Sequence, residues 1–294
     1  MTLTRLRPLM SLLAGASLVG GAVLASAQPV TTSGNGAVTD AAPRLVHHFA
    51  PGCIGYCKHP TNAAKVFRWG REEWREEFED GPRNTPHPPG RNWHSNHLKL
   101  VTTQVGMLTI TATPRTKVIR VRPDDQRARY GRWEARVRAV ELETRHKTFR
   151  FNWELIPVGG TKRYHCGAQS IVLASYRPGE SKVVRGAVRT RPNREFAFTR
   201  RLDLRSRAWH TYAVEVRPHR ISWFVDTKVI RTERRAGVLS GVTYKPRFRI
   251  EGSGNRMNLS RMQMDWVRYY DLHRPNAHSI EAPPMEKRTY RSAC

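Results

Sequence analysis

Apolar and polar side chains alternate along most of this chain, from about residue 65 to residue 273. Gly, Pro, Asn or charge clusters interrupt the alternation at intervals of about eight to fifteen residues. A period of two puts successive side chains on opposite faces of a strand. "MLTITAT" (Met107 to Thr113), "RWEARVRAV" (Arg132 to Val140), "WHTYAVEV" (Trp209 to Val216) and "ISWFVD" (Ile221 to Asp226) therefore each predict a strand. In the last of these, Ile221, Trp223 and Val225 form one apolar face. "YHCGAQSIVLASY" (Tyr164 to Tyr176) also reads as a strand. Many short strands separated by turn signals predict an all-β chain, a large sandwich or jelly roll. "WGREEWREEFED" is the exception: Gly70, Trp74 and Phe78 recur four apart among helix formers, which predicts a short helix.

The flanks carry no such pattern. Residues 1–27 have Arg5 and Arg7 followed by a short, small and apolar stretch and then Ala25, Ser26 and Ala27, the arrangement of a cleavable signal peptide. Residues 28–64 read as an irregular lead or linker, and 274–294 as a polar, Pro-rich tail. The expectation is an exported chain, secreted or associated with the cell wall, with no membrane-spanning segment after the signal. Cys53, Cys57, Cys166 and Cys294 fit an oxidising compartment. Cys53 and Cys57 sit in a Gly/Pro loop that could close on itself, and Cys294 could clip the tail to the body. Disulfides are favoured over a metal site, because no second pair stands at ligand spacing.

Charge changes the picture of the partner. Lys and Arg total 51 against 24 Asp and Glu, a formal net charge of +27. Loss of Arg5 and Arg7 with the signal would leave about +25. Many basic residues alternate with apolar ones, as in "RVRPDDQRARYGRWEARVRA", so they belong on outer strand faces. Such a surface is either simply solvated or attracts a polyanion: an acidic wall polymer, an acidic polysaccharide or extracellular nucleic acid.

Several segments, in order, resemble the domains of glycoside hydrolase family 16. They are "EEFEDG" (Glu76 to Gly81), "RNW" (Arg91 to Trp93), "GMLTITA" (Gly106 to Ala112), "YGRWEARVRA" (Tyr130 to Ala139), "FNWELIP" (Phe151 to Pro157), "WHTYAVEVRPHRISWFVDTKVIRT" (Trp209 to Thr232) and "MQMDWVRYYDL" (Met262 to Leu272). The resemblance covers residues 65–273. It implies a concanavalin-like β-sandwich of two antiparallel sheets with a sugar cleft on the concave face. The family's catalytic motif, Glu-x-Asp with a second Glu two or three residues later, should fall between "FNWELIP" and "WHTYAVEV". A retaining glycosidase needs two carboxylates about 5–5.5 Å apart. Aligned on Gly167, the motif positions become Ala168, Ser170 and Leu173 (or Val172), and shifted by one they become Gln169, Ile171 and Ala174; no register from His165 to Gly179 supplies a carboxylate. The family's catalytic residues therefore have no counterpart here.

Other acids are poor substitutes. Glu154 is the nearest, but Phe149, Phe151 and Trp153 define the face taken to line the cleft, so Glu154 is expected to point away from it. Glu180 follows a turn signal, Glu134 alternates with Arg132, Arg136 and Arg138 and offsets their charge, and Asp226 and Asp265 match non-catalytic family positions. His94 and His97 in "HSNH" read as polar surface rather than metal ligands. Ser170 and His165 lack the orienting acid of a triad. There is no phosphate-cradling Gly loop, and no cofactor or metal is expected.

What survives is binding. Trp153, Trp133, Trp93 and Tyr176 are candidate sugar-stacking rings, with Arg150, Asn152, His165 and Gln169 as hydrogen-bonding company. Trp209, Trp223 and Trp266 are assigned to packing. The expectation is a secreted binder of a polysaccharide or cell-envelope glycan, possibly acidic, that has lost the hydrolytic carboxylates. Two alternatives stand beside it: a glucanase or galactanase using non-standard acids such as Glu154, and a basic polyanion-binding protein without a specific nucleic-acid module.

Overall fold

The computed structural model describes residues 62–81, 85–158, 170–190, 194–202, 204, 207–239, 241–273 and, by backbone alone, 286–289. These lie within one compact unit spanning 54–294. The signal-like stretch, most of the lead, all four cysteines, His165, Ala168 and Gln169 lie outside the described residues.

Sixteen strands are present among the described residues. The first eight are β1 (Trp74–Glu76), β2 (Trp93–Ser95), β3 (Val101–Gln104), β4 (Met107–Ala112), β5 (Val118–Pro123), β6 (Gly131–Glu141), β7 (Arg150–Pro157) and β8 (Ile171–Tyr176). The rest are β9 (Val183–Thr190), β10 (Arg194–Arg201), β11 (His210–Arg217), β12 (Arg220–Val225), β13 (Lys228–Glu233), β14 (Tyr244–Glu251), β15 (Ser260–Tyr270) and β16 (Glu286–Thr289). They form two eight-stranded antiparallel sheets. The first runs β13-β12-β11-β6-β15-β4-β3, with β1 added to β15; the second runs β16-β10-β9-β8-β7-β14-β5-β2. The alternating segments are strands for the reason the pattern gives, since every second residue enters the core.

The core lies between the sheets. Trp133, Val137, Tyr212, Val214, Trp223 and Met264 face it from the first sheet, and Phe151, Trp153, Leu155, Leu173, Phe248 and Ile250 from the second. Trp223 spans the gap, its Nε1 donating to the Val172 carbonyl at 3.0 Å. Gly186 is required by this packing: a Cβ there would lie 2.4 Å from the Phe198 ring. That ring packs edge-on against Trp223, centroids 5.6 Å apart.

The expected helix at "WGREEWREEFED" is not formed. Trp74–Glu76 is instead β1, paired with Tyr269, Arg268 and Val267 of β15. Left-handed φ values at Gly70 and Phe78 bracket the segment and end any helix. The one α-helix among the described residues, α1 (Ala63–Val66), lies just upstream. Together with Phe67 and Trp69 it covers Ala213, Phe224 and Tyr270 on the outer side of the first sheet.

Glu134 has a different part from charge cancellation along β6. It is fully buried beneath α1, where its carboxylate accepts from the Ala63 amide at 2.7 Å, the Ala64 amide at 3.4 Å and Asn62 Nδ2 at 3.3 Å. Burial pushes its pKa up to about 7 in spite of those donors. Beside it, Arg132 and Glu215 are a buried ion pair at 2.7 Å. Arg132 also donates to the Asp271 carbonyl and lies over the Trp69 ring.

Candidate binding face

The outer side of the second sheet is built by the residues that alternate with the core set. On β7 these are Arg150, Asn152 and Glu154, between Phe151, Trp153 and Leu155. On β14 they are Lys245, Arg247, Arg249 and Glu251. Register sets Arg247 against Glu154, Arg249 against Asn152 and Glu251 against Arg150. β5 continues the rows with Arg120 opposite Arg249. On the other flank β9 supplies Arg185, Ala187 and Arg189, and β10 supplies Glu195, Ala197 and Thr199.

In the middle lies β8. Ile171 pairs with Leu155 and Val188, both core residues, so Val172 falls on the outer side. It joins Ala187 and Ala197 in a small apolar cluster separate from the main core. A β-bulge follows, with the register shifting between Val172 and Ser175. Leu173 faces the core by alternation, and the bulge turns Ala174 inward beside it and brings Ser175 out opposite Asn152. By alternation Ser170 also lies on the outer side. Outward positions on this strand are therefore Ser170, Val172 and Ser175. Leu173, one of the expected motif positions, is 2% exposed and belongs to the core.

The acids of this face are each held by cations. Glu154, 1% exposed, accepts from Arg247 Nε at 2.8 Å, and Arg249 Nε lies 3.1 Å from the same oxygen. Glu195 accepts from Arg189 Nε at 2.7 Å and also pairs with Arg185. Glu251 pairs with Arg249 and accepts from Asn152 Nδ2 at 3.1 Å. Asp124 pairs with His94 and lies 3.6 Å from Arg122. Basic groups still outnumber acidic ones, and the excess is felt locally. Burial, then the charges of Arg247 and Arg249, lower the pKa of Arg120; burial, then Arg122, lower that of Lys245.

The aromatic candidates do not line this face. Trp153 (2% exposed), Trp133 (0%), Trp93 (4%) and Tyr176 (5%) are all between the sheets. Trp153 stacks on Phe248 with centroids 5.6 Å apart, Trp133 bonds Gln126 through Nε1 at 2.8 Å, and Trp93 bonds Glu76 at 3.2 Å. Their faces are filled by protein, so none is open to a sugar ring. The same geometry reverses the expectation for Glu154: the aromatic side of β7 is the core, and Glu154 is on the outer side, buried there by its arginine partners. Arg150 and Asn152 share that side. Trp223 and Trp266 are packed as expected, while half-buried Trp209 lies under Arg136 and Arg138.

Sequence reasoning missed Arg247, Arg249, Arg185, Arg189, Glu195 and Glu251. The signal was present in "YKPRFRIE", where Tyr244, Phe248 and Ile250 alternate with Lys245, Arg247, Arg249 and Glu251.

No protein-family model matches the sequence, and no curated protein sequence matches it. Solved structures do match. The laminarinase from Rhodothermus marinus superposes with a TM-score of 0.55 at 17% identity, covering 68% of this chain and 96% of that one. An endo-β-1,3-glucanase from Pyrococcus furiosus gives 0.55 at 15% identity, with 68% and 94% covered. A non-specific endo-β-1,3(4)-glucanase of family GH16, crystallised with an oligosaccharide at its active site, gives 0.56 at 15%, again with 68% and 94% covered. The chain thus has a glycoside hydrolase family 16-like jelly-roll fold. Among the described residues, no helix is long and apolar enough to cross a membrane.

Proposed function

We propose that the mature chain is an exported β-sandwich that binds a polysaccharide or cell-envelope glycan across the outer side of its second sheet without cleaving it. The observation that carries this reading is the composition of β8 and its neighbours. The outward side chains are Ser170, Val172 and Ser175, spaced as the longer form of the family's Glu-x-Asp-x-x-Glu motif, and none can form a glycosyl ester or donate a proton at neutral pH. The partly exposed guanidinium groups of Arg150, Arg185, Arg189 and Arg247 suit sugar hydroxyls, while Ser170, Asn152 and Ser175 are themselves buried beneath them.

The alternative in which Glu154 serves a glycosidase has one favourable point, its place beside Val172. Spacing counts against it. Glu251 sits opposite Arg150, four residues from Glu154, or roughly 13 Å along the strand. Glu195 is three strands away, roughly 14 Å. Neither meets the requirement of about 5–5.5 Å for a retaining pair, and the wider inverting arrangement would need acids not already engaged by arginines.

The test pairs retention with turnover. The mature chain is incubated with β-1,3-glucan, mixed-linkage glucan, galactan and acidic wall polymers, and both bound protein and new reducing ends are measured. Retention without release above a boiled control is expected. Release of reducing ends would overturn the reading.

A further inference from the structure

Beyond Asn152 and Ser175 the outer face ends in an open pocket of about 300 Å³, walled by Lys147, Arg150, Arg177 and Ser253, with Glu180 and Glu251 at its sides. Arg150 is the residue without an explanation in the fold. Its guanidinium is partly buried, and its one side-chain hydrogen bond among the described residues is a long one, Nη1 to Ser175 Oγ at 3.4 Å. No carboxylate of the described residues pairs with it. Glu251, directly across the ladder, is turned to Arg249 and Asn152. Glu180 is exposed and 3.7 Å from Arg177. Lys147 is exposed, and no described residue forms an ion pair or side-chain hydrogen bond with its ammonium. Ser253 donates its amide to the Met257 sulfur at 3.4 Å, a weak acceptor that a better one can displace, while its hydroxyl donates to the Asn255 carbonyl at 3.0 Å.

A guanidinium partly withdrawn from water without a carboxylate paired to it costs some stability. Burial, followed by the charge of Arg177, lowers its pKa, yet it remains protonated at any physiological pH. An oxyanion in the pocket would offset that cost, and the planar fork of Arg150 matches a carboxylate or sulfate through two parallel bonds. A neutral sugar offers hydroxyl acceptors to this group but no counter-charge.

We infer that the pocket is an anion subsite at one end of the glycan-binding face, in which Arg150 and Lys147 take the carboxylate of a uronic acid or the sulfate half-ester of a sugar ring. This rests on the reading of the outer face as glycan-binding. It adds that the polymer is acidic and that its charge is read at one place rather than by the net charge of the protein.

The experiment compares wild type, Arg150→Gln, Arg150→Lys and, as a charge control on the other sheet, Arg75→Gln, with thermal melting as a check on folding. Affinities for a uronate oligosaccharide, a sulfated oligosaccharide and a neutral β-glucan oligosaccharide are measured at about 0.15 M salt, where attraction beyond about 8 Å is screened. Wild type should bind at least one of the acidic ligands about tenfold more tightly than the neutral one, and the stronger of the two identifies the substituent. Arg150→Gln should bring that ratio close to one, Arg150→Lys should give an intermediate ratio, and Arg75→Gln should leave it unchanged. Equal losses in Arg150→Gln and Arg75→Gln, or a wild-type ratio near one, would overturn the subsite while leaving glycan binding in place. Binding of none of the ligands would overturn the parent reading.

Discussion

Glu154 and Val172 face each other across the β7–β8 ladder on the outer side of the second sheet, one a buried carboxylate and the other a buried methyl-bearing side chain. The strand that should carry acids carries an apolar residue at its centre, and the nearest acid belongs to the neighbouring strand, where two arginines hold it. Glu154 is thereby a brace for β14, which aligns Arg247 and Arg249 on the face.

Replacing Glu154 by Gln tests that role. Arg247 and Arg249 would lose their shared counter-charge while remaining only 22% and 17% exposed. Removing one partner of a fully buried pair costs about 3–5 kcal/mol; partial exposure of the arginines reduces this to about 2 kcal/mol. The urea midpoint should fall accordingly, with the slope unchanged. An unaltered midpoint would remove the brace from the account.

Trp153 offers a test of the aromatic assignment. Its ring lies between the sheets, and its buried Nε1 has no hydrogen-bond partner among the described residues. Trp153→Phe gives up some volume but also removes an unsatisfied donor, so stability should change by less than about 1.5 kcal/mol. Glycan retention should match wild type. A selective loss of retention in a well-folded Trp153→Phe protein would return the ring to the binding face.

The difference between the expected and the observed role of Trp153 shows what alternation can and cannot convey. The period of two separated Phe151 and Trp153 from Asn152 and Glu154 correctly, and it located strand after strand. It does not say which set faces the other sheet, because both a sugar cleft and a sandwich core favour aromatics. Leu173 failed for another reason: its outward place needed a bulge between Ser170 and itself, whereas the bulge comes after Val172 and brings out Ser175 instead, a shift that leaves no mark in the composition of "SIVLASY". The segment around Trp74 has the residues of a helix but is claimed by β15, a contact nearly two hundred residues away that no local propensity encodes. The arginines of "YKPRFRIE", in contrast, were legible as an outer strand face; only their ionic pairing needed the structure.

Buried Glu134 makes stability depend on pH. Its pKa rises from the ordinary carboxylate value of 4.5 in an open chain to about 7 when folded. Between those values the unfolded chain releases the proton and the folded one keeps it. Stability therefore falls as pH rises from about 4.5 and levels off above about 7, a loss of up to about 3 kcal/mol from this group. Glu134→Gln cannot ionise, so its melting temperature should decline less than that of wild type between pH 5 and pH 8. Parallel melting curves for the two proteins would show that the carboxylate is not the titrating group.

Glu215 gives the opposite sign at the acid end. Its carboxylate, buried at 0% side-chain exposure, is met by Arg132 at 2.7 Å, Arg217 at 2.8 Å and Arg220 at 3.0 Å. Burial alone would raise its pKa, but the hydrogen bonds from Arg217, Arg132 and Arg220 together outweigh burial and hold it below the usual carboxylate range. The folded state thus favours the ionised form, and the stabilisation is present above the unfolded pKa and lost as pH falls through the folded one. Glu215→Gln leaves Arg132 buried without its counter-charge, for which about 3–5 kcal/mol is expected at neutral pH. It also removes this group's share of acid unfolding, so the gap between wild type and Glu215→Gln should narrow as pH drops toward 3. A gap that stays constant from pH 7 to pH 3, followed by urea unfolding at each pH, would mean that Glu215 does not carry this part of the acid transition.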